Sequence, residues 1–422
     1  MRNVFKIIFL TTVMCFFLFP IGFRGLPSAM NTKHFLFALA FVIYVCRCMA
    51  SHSLKARPAV VTLMLISMVF SVWCFFSCVY NGTSDYAYAT YIESFFLWSG
   101  SAYAVCELIK ACYGRLDLEL LVRYMTLAGV WQCIAVILVA NVPWFQTFVD
   151  NWIIQDGTAK EVGRYYGIGC SLDSGGVRFC MILIMLGHVL TRVKSVTDSS
   201  KVVFRYSLAF LFMCVVGNMV ARTTTVGMAL ALLYIVISVG VAHNAQLTAK
   251  QLRIRAIFLS LLVAGSAALT YFYLHDVAFR HDLRFAFEAF FNFVEKGELR
   301  TDSSDTLMAR MWIWPWSREG WLVGYGLFEW SYWDSYGFQT DIGYCRFVLY
   351  CGLVGMFLFS VYFIVNAYFV GRRFKDAWLL ACTLIVLTFV IWLKVSTDIF
   401  QLYALLLCVP NEFDSPEVPE YR

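Results

Sequence analysis

The chain alternates long apolar runs with short polar connections. About 20 apolar residues suffice to cross the hydrocarbon core of a bilayer. Runs of that length lie at about 4–23, 34–50, 58–80, 85–109, 117–141, 173–191, 204–221, 223–243, 254–275 and 342–370. The stretch 377–409 is too long for one span and is interrupted by the polar segment "KVSTD", so it predicts two short helices. The pattern therefore predicts an all-α, polytopic integral membrane protein with about twelve transmembrane helices, arranged as a single membrane domain over 1–422.

Composition agrees with this class. Apolar residues make up 61% of the 422 residues and charged residues only 14%, whereas a soluble domain has about 25% charged residues. Nearly all of the 15 cysteines lie within apolar runs, which indicates small buried thiols rather than disulfides or metal ligands. The six histidines are scattered, so the sequence predicts no metal site and no cofactor.

Lysine and arginine are unevenly distributed between the connections. One alternate set holds most of them: Arg47, Lys55 and Arg57; Lys110 and Arg115; Arg192, Lys194, Lys201 and Arg205; Lys250, Arg253 and Arg255; and Arg372, Arg373 and Lys375. Cytoplasmic loops carry this excess, and no run is dense enough to indicate a nucleic-acid surface. Exceptions on the other side are Arg24, Lys33, Arg222 and Lys394.

This bias orients the whole chain. The N-terminal segment has the basic start of a signal peptide but no small-residue cleavage site, so we predict a retained first span. Both termini are then cytoplasmic, including the tail at 410–422. Two long loops, 142–172 and 276–340, lie outside.

The second outer loop has an amphipathic character. Its segment "LRFAFEAFFNFVEKGELR" interleaves phenylalanines with charges, which predicts one helix lying in the plane of the membrane interface. Four tryptophans follow and fit the headgroup layer: Trp312, Trp314, Trp316 and Trp321.

Two places at the predicted outer edges of spans carry arginines. A charge at such a position is costly, so each arginine there is a candidate functional residue. Arg222 occupies a minimal turn in "ARTTTVGMALAL", and the hydroxyls of Thr223–Thr225 follow at a helix N-terminus, which favours an anion. The alternative is a turn residue that snorkels to the headgroups. Arg164 and Tyr165 close the first outer loop, and Arg178 lies just inside the next span. The alternative for Arg164 is a solvated loop charge.

The other two candidate places lie later in the chain. Arg310 stands among methionine and Trp312, where it either packs on an indole or reaches a phosphate or sugar. In "DIGYCRFVLYCGLVG", Asp341 and Tyr344 are three residues apart, so we expect them to share a helix face. Asp341 is then either a helix cap or a reactive carboxylate, and Arg346 points elsewhere, to snorkel or pair.

Taken in order, these motifs resemble a known family. The Arg–aromatic–Gly loop, "ARTTTVGMALAL", "GYGLFEW" and "DIGYCRFVLYCGLVGMF" are similar to the Wzy-type polysaccharide polymerases and to their relatives, the O-antigen ligases, over roughly 160–400. The resemblance implies a C-type glycosyltransferase fold in the bacterial inner membrane, with outer loops covering a cavity. It also implies undecaprenyl-pyrophosphate-linked oligosaccharide as donor and acceptor, and a chain-length regulator and a flippase as partners.

The family's site residues transfer to this sequence one by one. Its arginine before a span matches Arg222, and its large-loop arginine best matches Arg310, with Arg300 as a rival. Where ligases place His–Asn, this chain has Asp341-Ile342, which favours a polymerase. We predict Asp341, Arg222 and Arg310 as catalytic. The predicted substrate-binding residues are Arg164, Tyr165, Arg300, Trp312, Tyr344 and Arg346.

Three alternatives stay open at this point. The nearest is an O-antigen ligase, which transfers finished glycan to a lipid core. Another is a flippase for lipid-linked oligosaccharide, although such carriers usually show two related halves and these halves differ. The last is a sensor or scaffold, which would not need several arginines at outer membrane edges.

Overall fold

A computed structural model describes residues 2–27, 30–52, 57–154, 158–161, 163–192, 199–241, 249–298, 300–328 and 340–413. Most of the predicted tail at 410–422 and part of the loop 276–340 lie outside the described residues. The chain forms two compact units. Unit 1 comprises Met1–Lys33 and Asp117–Thr301, and unit 2 comprises His34–Leu116 and Asp302–Arg422. The prediction of a single membrane domain over 1–422 stays a prediction.

Helices dominate both units. In chain order they are α1 (Arg2–Leu18), α2 (Thr32–Ser51), α3 (Pro58–Asn81), α4 (Tyr91–Tyr113), α5 (Leu118–Asn141), α6 (Pro143–Trp152), α7 (Thr158–Glu161), α8 (Leu172–Arg192), α9 (Ser199–Val220), α10 (Thr224–Val241), α11 (Ala249–His275), α12 (Val277–Ala286), α13 (Glu288–Lys296), α14 (Asp302–Arg310), α15 (Arg318–Val323), α16 (Gly343–Arg373), α17 (Trp378–Ile391) and α18 (Phe400–Cys408). Two short strands, β1 (Gly22–Phe23) and β2 (Ile153–Ile154), pair antiparallel.

Among the described residues, six helices are long and apolar enough to cross a membrane: α2, α3, α5, α8, α9 and α16. Shorter apolar segments lie in α1, α10, α11 and α17. The helices therefore confirm a mostly helical chain and are compatible with a membrane protein by their length and composition. A helix lies at each of the twelve predicted runs, and the count of about twelve spans stays a prediction.

Some predicted boundaries are wrong. The first run was expected to reach residue 23, yet α1 ends at Leu18 because Pro20 removes a backbone donor. The run predicted from residue 85 becomes helical only at Tyr91, because residues 83–90 form a loop that buries Asp85. The single amphipathic helix is two helices, α12 and α13, divided at Phe287, which has φ −113 and ψ 33.

The core of unit 1 surrounds α8. This helix packs against α5, α9 and α10 and is almost wholly buried from Gly175 to Leu190. The loop 163–171 before it is fixed to α5, since the Gln132 side chain donates to the Ile168 carbonyl oxygen at 2.7 Å and accepts from the Ile168 N–H at 3.2 Å. Buried polar groups need such partners, so this loop has a defined position.

The core of unit 2 surrounds α16, which packs against α3, α15, α17 and α18. This helix kinks at Gly352, whose φ is +67. A side chain there would collide with the Leu322 carbonyl oxygen, so glycine is required. The kink lets residues 322–326 lie against α16, where the Tyr325 and Gly326 N–H groups donate to the Leu349 and Tyr350 carbonyl oxygens at 2.6 and 2.9 Å.

Candidate functional site

The turn between α9 and α10 presents Arg222. The three threonine hydroxyls that follow donate to protein acceptors: Thr223 to the Asp173 carboxylate, Thr224 to the Gly217 carbonyl oxygen at 2.9 Å, and Thr225 to the Asn218 side chain at 2.6 Å. Their contacts fix the turn, so the expectation that these hydroxyls add to an anion clamp gives way to a structural role. The turn nevertheless holds Arg222 in a defined place.

The Arg222 side chain is turned into unit 1 and is only 13% exposed. It forms an ion pair with Glu288, the first residue of α13. Its Nε donates to the Phe285 carbonyl oxygen at 3.1 Å, and its guanidinium carbon lies 4.7 Å from the centre of the Phe285 ring. These contacts are not those of a side chain that snorkels to headgroups.

Arg164 converges on the same ring. Its guanidinium carbon also lies 4.7 Å from the centre of Phe285, so the two guanidinium groups are at most twice that distance apart. The Nη1 atom of Arg164 is buried and has no hydrogen-bond partner among the described residues. We call Arg164, Arg222, Phe285, Glu288 and Asp173 the arginine cluster.

The arginine cluster sets two guanidinium groups against two carboxylates, Asp173 and Glu288, and leaves one buried donor of Arg164 without a partner among the described residues. Burial lowers the pKa of Arg164, and the positive charge of Arg222 lowers it further, while Asp173 and Glu288 oppose this shift. Arginine keeps its proton in proteins, so both guanidinium groups stay charged. A buried cation with an unpaired donor is costly unless an anion neutralises it.

The neighbouring residues hold the arginine cluster in place. The Tyr165 hydroxyl donates to the Asp282 carboxylate on α12 at 2.5 Å. Burial and this hydrogen bond raise the pKa of Tyr165 to about 12, so it remains a neutral donor. Arg178 donates to the Gly169 carbonyl oxygen at 3.2 Å and so fixes the loop that carries Arg164. Arg300 is exposed, with its Nη1 4.0 Å from a Glu298 oxygen.

In unit 2 the segment around Asp341 differs from the prediction. Helix α16 begins at Gly343 and its N-cap is Ile342, so Asp341 precedes the helix and its side chain is exposed. The expectation that Asp341 and Tyr344 share a helix face is therefore wrong, and Asp341 does not occupy the cap position. The Tyr344 hydroxyl donates to the Phe389 carbonyl oxygen at 2.9 Å.

Arg346 points inward rather than towards the headgroups. Its Nη2 donates to the Phe328 carbonyl oxygen at 2.7 Å, and its guanidinium carbon lies 4.0 Å above the Phe328 ring. Its Nη1 is 3.4 Å from the Ser396 hydroxyl. The Phe328 N–H in turn donates to the buried Asp85 carboxylate at 2.5 Å. Arg346 therefore contacts the connections that carry Phe328 and Ser396, and Phe328 links it to the connection that carries Asp85.

Sequence reasoning missed the polar groups around Arg346. Asp398 accepts from the Tyr91 hydroxyl at 3.2 Å and from the Phe400 N–H at 2.9 Å. The Tyr350 hydroxyl donates to the Asp85 carbonyl oxygen at 2.8 Å. The available signal was a single aspartate in each of "NGTSDYAYAT" and "KVSTD", between apolar runs, where acids are rare and costly.

Arg310 and Trp312 lie at the end of α14 in unit 2. Arg310 is exposed in the last turn, where a cation favours the helix dipole. The Trp312 indole N–H donates to the Met308 sulfur at 3.3 Å, and its ring is 5.8 Å from that of Trp314. The assignment of both residues to the substrate stays a prediction.

Arg346→Met is expected to destabilise unit 2 markedly. The change removes a charge-assisted hydrogen bond and a cation–π contact, which together contribute about 2–4 kcal/mol at a largely buried position. Thermal unfolding of the purified protein in detergent measures the loss. Arg372→Met is the matched control on the same helix, because Arg372 is exposed but also donates to a Tyr368 hydroxyl and lies over its ring. Equal melting temperatures for the two variants would contradict a structural role for Arg346.

Comparison of the chain with protein-family models, curated proteins and solved structures finds no match. Within the described ranges, no group of three or more His, Cys, Asp or Glu side chains could hold a metal ion.

Proposed function

We propose that this chain is a membrane glycosyltransferase that polymerises lipid-pyrophosphate-linked oligosaccharide repeats into a surface polysaccharide. The observation that carries the proposal is the convergence of Arg164 and Arg222 on Phe285, with one buried guanidinium nitrogen unpaired. Two arginines in such a place suit a pyrophosphate, because each planar guanidinium binds phosphate oxygens in a bidentate way. The resemblance to Wzy-type polymerases supplies the sugar chemistry.

In the proposed reaction, a hydroxyl of the acceptor repeat attacks the anomeric carbon of the donor repeat. A new glycosidic carbon–oxygen bond forms, and the bond between that carbon and the pyrophosphate oxygen breaks. The electron pair leaves with the lipid pyrophosphate, whose charge Arg164 and Arg222 stabilise. The acceptor hydroxyl proton passes to a base, for which Asp341 is the candidate. Arg310 stays a candidate second contact to the donor, as the resemblance implies.

We also propose that the chain spans the bacterial inner membrane about twelve times, with cytoplasmic termini and an arginine cluster on the outer side. Contacts within unit 1 support this orientation, since Arg164, Arg222 and Phe285 come from three connections that the basic residues place outside. Contacts within unit 2 support the assignment of the cytoplasmic side. Arg57 and Arg373, both predicted to be cytoplasmic, donate to the Leu407 carbonyl oxygen at the end of α18.

Cysteine labelling in intact cells tests this orientation. A membrane-impermeant maleimide is expected to label a cysteine placed at Ser303 and not one placed at Ser199, because these positions are assigned to opposite sides. The parent protein gives the background of the native cysteines, and permeabilised cells show that both positions are reactive. Labelling at Ser199 but not at Ser303 would reverse the orientation.

A gel of surface glycan after deletion of the protein tests the proposed reaction. Loss of the polymer ladder with one repeat retained is the result expected for a polymerase. Full-length polymer left on the carrier lipid would instead indicate a ligase. Failure of lipid-linked repeats to reach the outer face would indicate a flippase. Either of the last two results overturns the proposed function.

A further inference from the structure

Helix α13 begins directly on the arginine cluster. Its first residue, Glu288, is only 19% exposed and pairs with Arg222. Because a carboxylate and a phosphate offer the same kind of oxygen to a guanidinium, Glu288 occupies the place on Arg222 that a pyrophosphate oxygen would take. A bound pyrophosphate would also meet the repulsion of this carboxylate at short range. The described arrangement is therefore a closed one.

The rest of α13 is held weakly. No residue of this helix is buried, and Phe290, Phe293 and Val294 are exposed. Its contacts with protein include a stack of Phe291 on Tyr273, with ring centres 5.5 Å apart, an exposed ion pair between Arg284 and Glu295, and a hydrogen bond from the Asn292 side chain to the Arg300 carbonyl oxygen at 2.8 Å. Few protein contacts therefore oppose a movement of α13, and its exposed phenylalanines can stay in the membrane interface that the sequence predicts for them.

The boundary between α12 and α13 is suited to act as a hinge. Phe287 is non-helical and divides the two helices. In contrast to α13, α12 buries Leu283 and Ala286 and is tied to the loop 163–171 through Asp282 and Tyr165. Movement about Phe287 would release Glu288 and leave Phe285 on the two arginines.

We propose that α13 is a lid over the arginine cluster and that Glu288 is its latch, which the pyrophosphate of the ligand displaces. This inference rests on the proposed function of the arginine cluster as a pyrophosphate site. We expect the site to favour pyrophosphate over a monovalent anion, which has to replace the Glu288 charge on Arg222 with an equal charge. A pyrophosphate gains in addition the unpaired Nη1 of Arg164.

Binding of inorganic pyrophosphate to the full-length protein in lipid nanodiscs tests the latch. Glu288→Gln keeps the size of the side chain and removes the competing charge, so we expect pyrophosphate to bind about 10-fold tighter or more, the size of a charge-assisted hydrogen bond. Glu298→Gln is the matched control, because Glu298 is 61% exposed and lies near Arg300. We expect the control to bind as the wild type does.

Hydrogen–deuterium exchange measures the movement of the lid itself. Pyrophosphate is expected to raise exchange across 288–296 in the wild-type protein and in Glu298→Gln. In Glu288→Gln the exchange should be high without pyrophosphate. The wild-type measurement needs no variant, so bound pyrophosphate without a rise across 288–296 overturns the lid even if Glu288→Gln fails to fold.

The outcomes separate the lid from the site. If pyrophosphate binds the wild type, is lost in Arg222→Gln, and binds Glu288→Gln no more tightly, then the arginine cluster stands and the latch is wrong. If pyrophosphate binds neither the wild type nor Glu288→Gln, both the pyrophosphate site and its lid are rejected. Binding of pyrophosphate to Glu288→Gln but not to the wild type supports both the site and the lid. In that case free pyrophosphate does not displace Glu288 from Arg222.

Discussion

Arg222→Lys is expected to abolish long polymer while the protein remains folded and inserted. The planar guanidinium of Arg222 pairs with Glu288 through Nη2 and donates from Nε to the Phe285 carbonyl oxygen at the same time. A lysine ammonium is a point charge that cannot bind bidentately or lie flat on a ring. Removal of one preorganised donor from a transition-state site typically costs about 10²–10³-fold in rate. We expect a loss of that size in polymer yield, measured on a gel of surface glycan at matched protein level.

The chain supplies a close control for this substitution. Arg284 repeats the Arg222 pattern at the surface, since its guanidinium carbon lies 5.0 Å from the centre of Phe291 and it pairs with Glu295. Both partners of that pair are 42% exposed, where an ion pair contributes little. Arg284→Lys, like the topology charge Arg192→Lys, should leave polymer yield near the wild-type level. Equal losses in Arg222→Lys and Arg284→Lys would remove Arg222 from the reaction.

The helices could be predicted from the sequence because a segment that lies in lipid must be apolar and must satisfy its backbone hydrogen bonds internally, as a helix does. The breaks were harder to place. The interruption at "KVSTD" lies between α17 and α18 as predicted. The division of α12 from α13 at Phe287 carries no glycine or proline and so gave no signal. Residues 85–90 were assigned to a span for a similar reason. Their aromatic residues are apolar, and the burial of Asp85 depends on the Phe328 N–H far along the chain.

The site was predictable only in part, and for a different reason. Arg164 and Arg222 were each identified by the cost of a charge at a membrane edge. Their convergence on Phe285 depends on the packing of three connections, which no local pattern contains. Glu288 was missed because an acid in a polar loop is ordinary. It becomes informative only beside a buried arginine.

The position of Asp341 separates a capping role from a reactive one. A cap role predicted that asparagine would substitute silently, because Asn caps as well as Asp. Asp341 precedes the cap residue Ile342, so that explanation no longer applies. One structural role for Asp341 is its Coulombic attraction to Arg346, and Arg346 already has the Phe328 carbonyl oxygen as a direct partner. Loss of one exposed charge should then leave the fold intact.

Asp341→Asn is accordingly expected to give a folded, inserted protein that makes no long polymer. Asparagine keeps the shape of the side chain but cannot take the acceptor proton, and removal of a general base typically costs about 10²–10⁴-fold in rate. Tyr344→Phe should have a smaller effect, because the Tyr344 hydroxyl already donates to the Phe389 carbonyl oxygen. Asp376→Asn, at an exposed turn before α17 with φ +55, is the matched control and should retain polymer. Polymer of wild-type length from Asp341→Asn, at a protein level equal to that of the control, would show that another group accepts the proton.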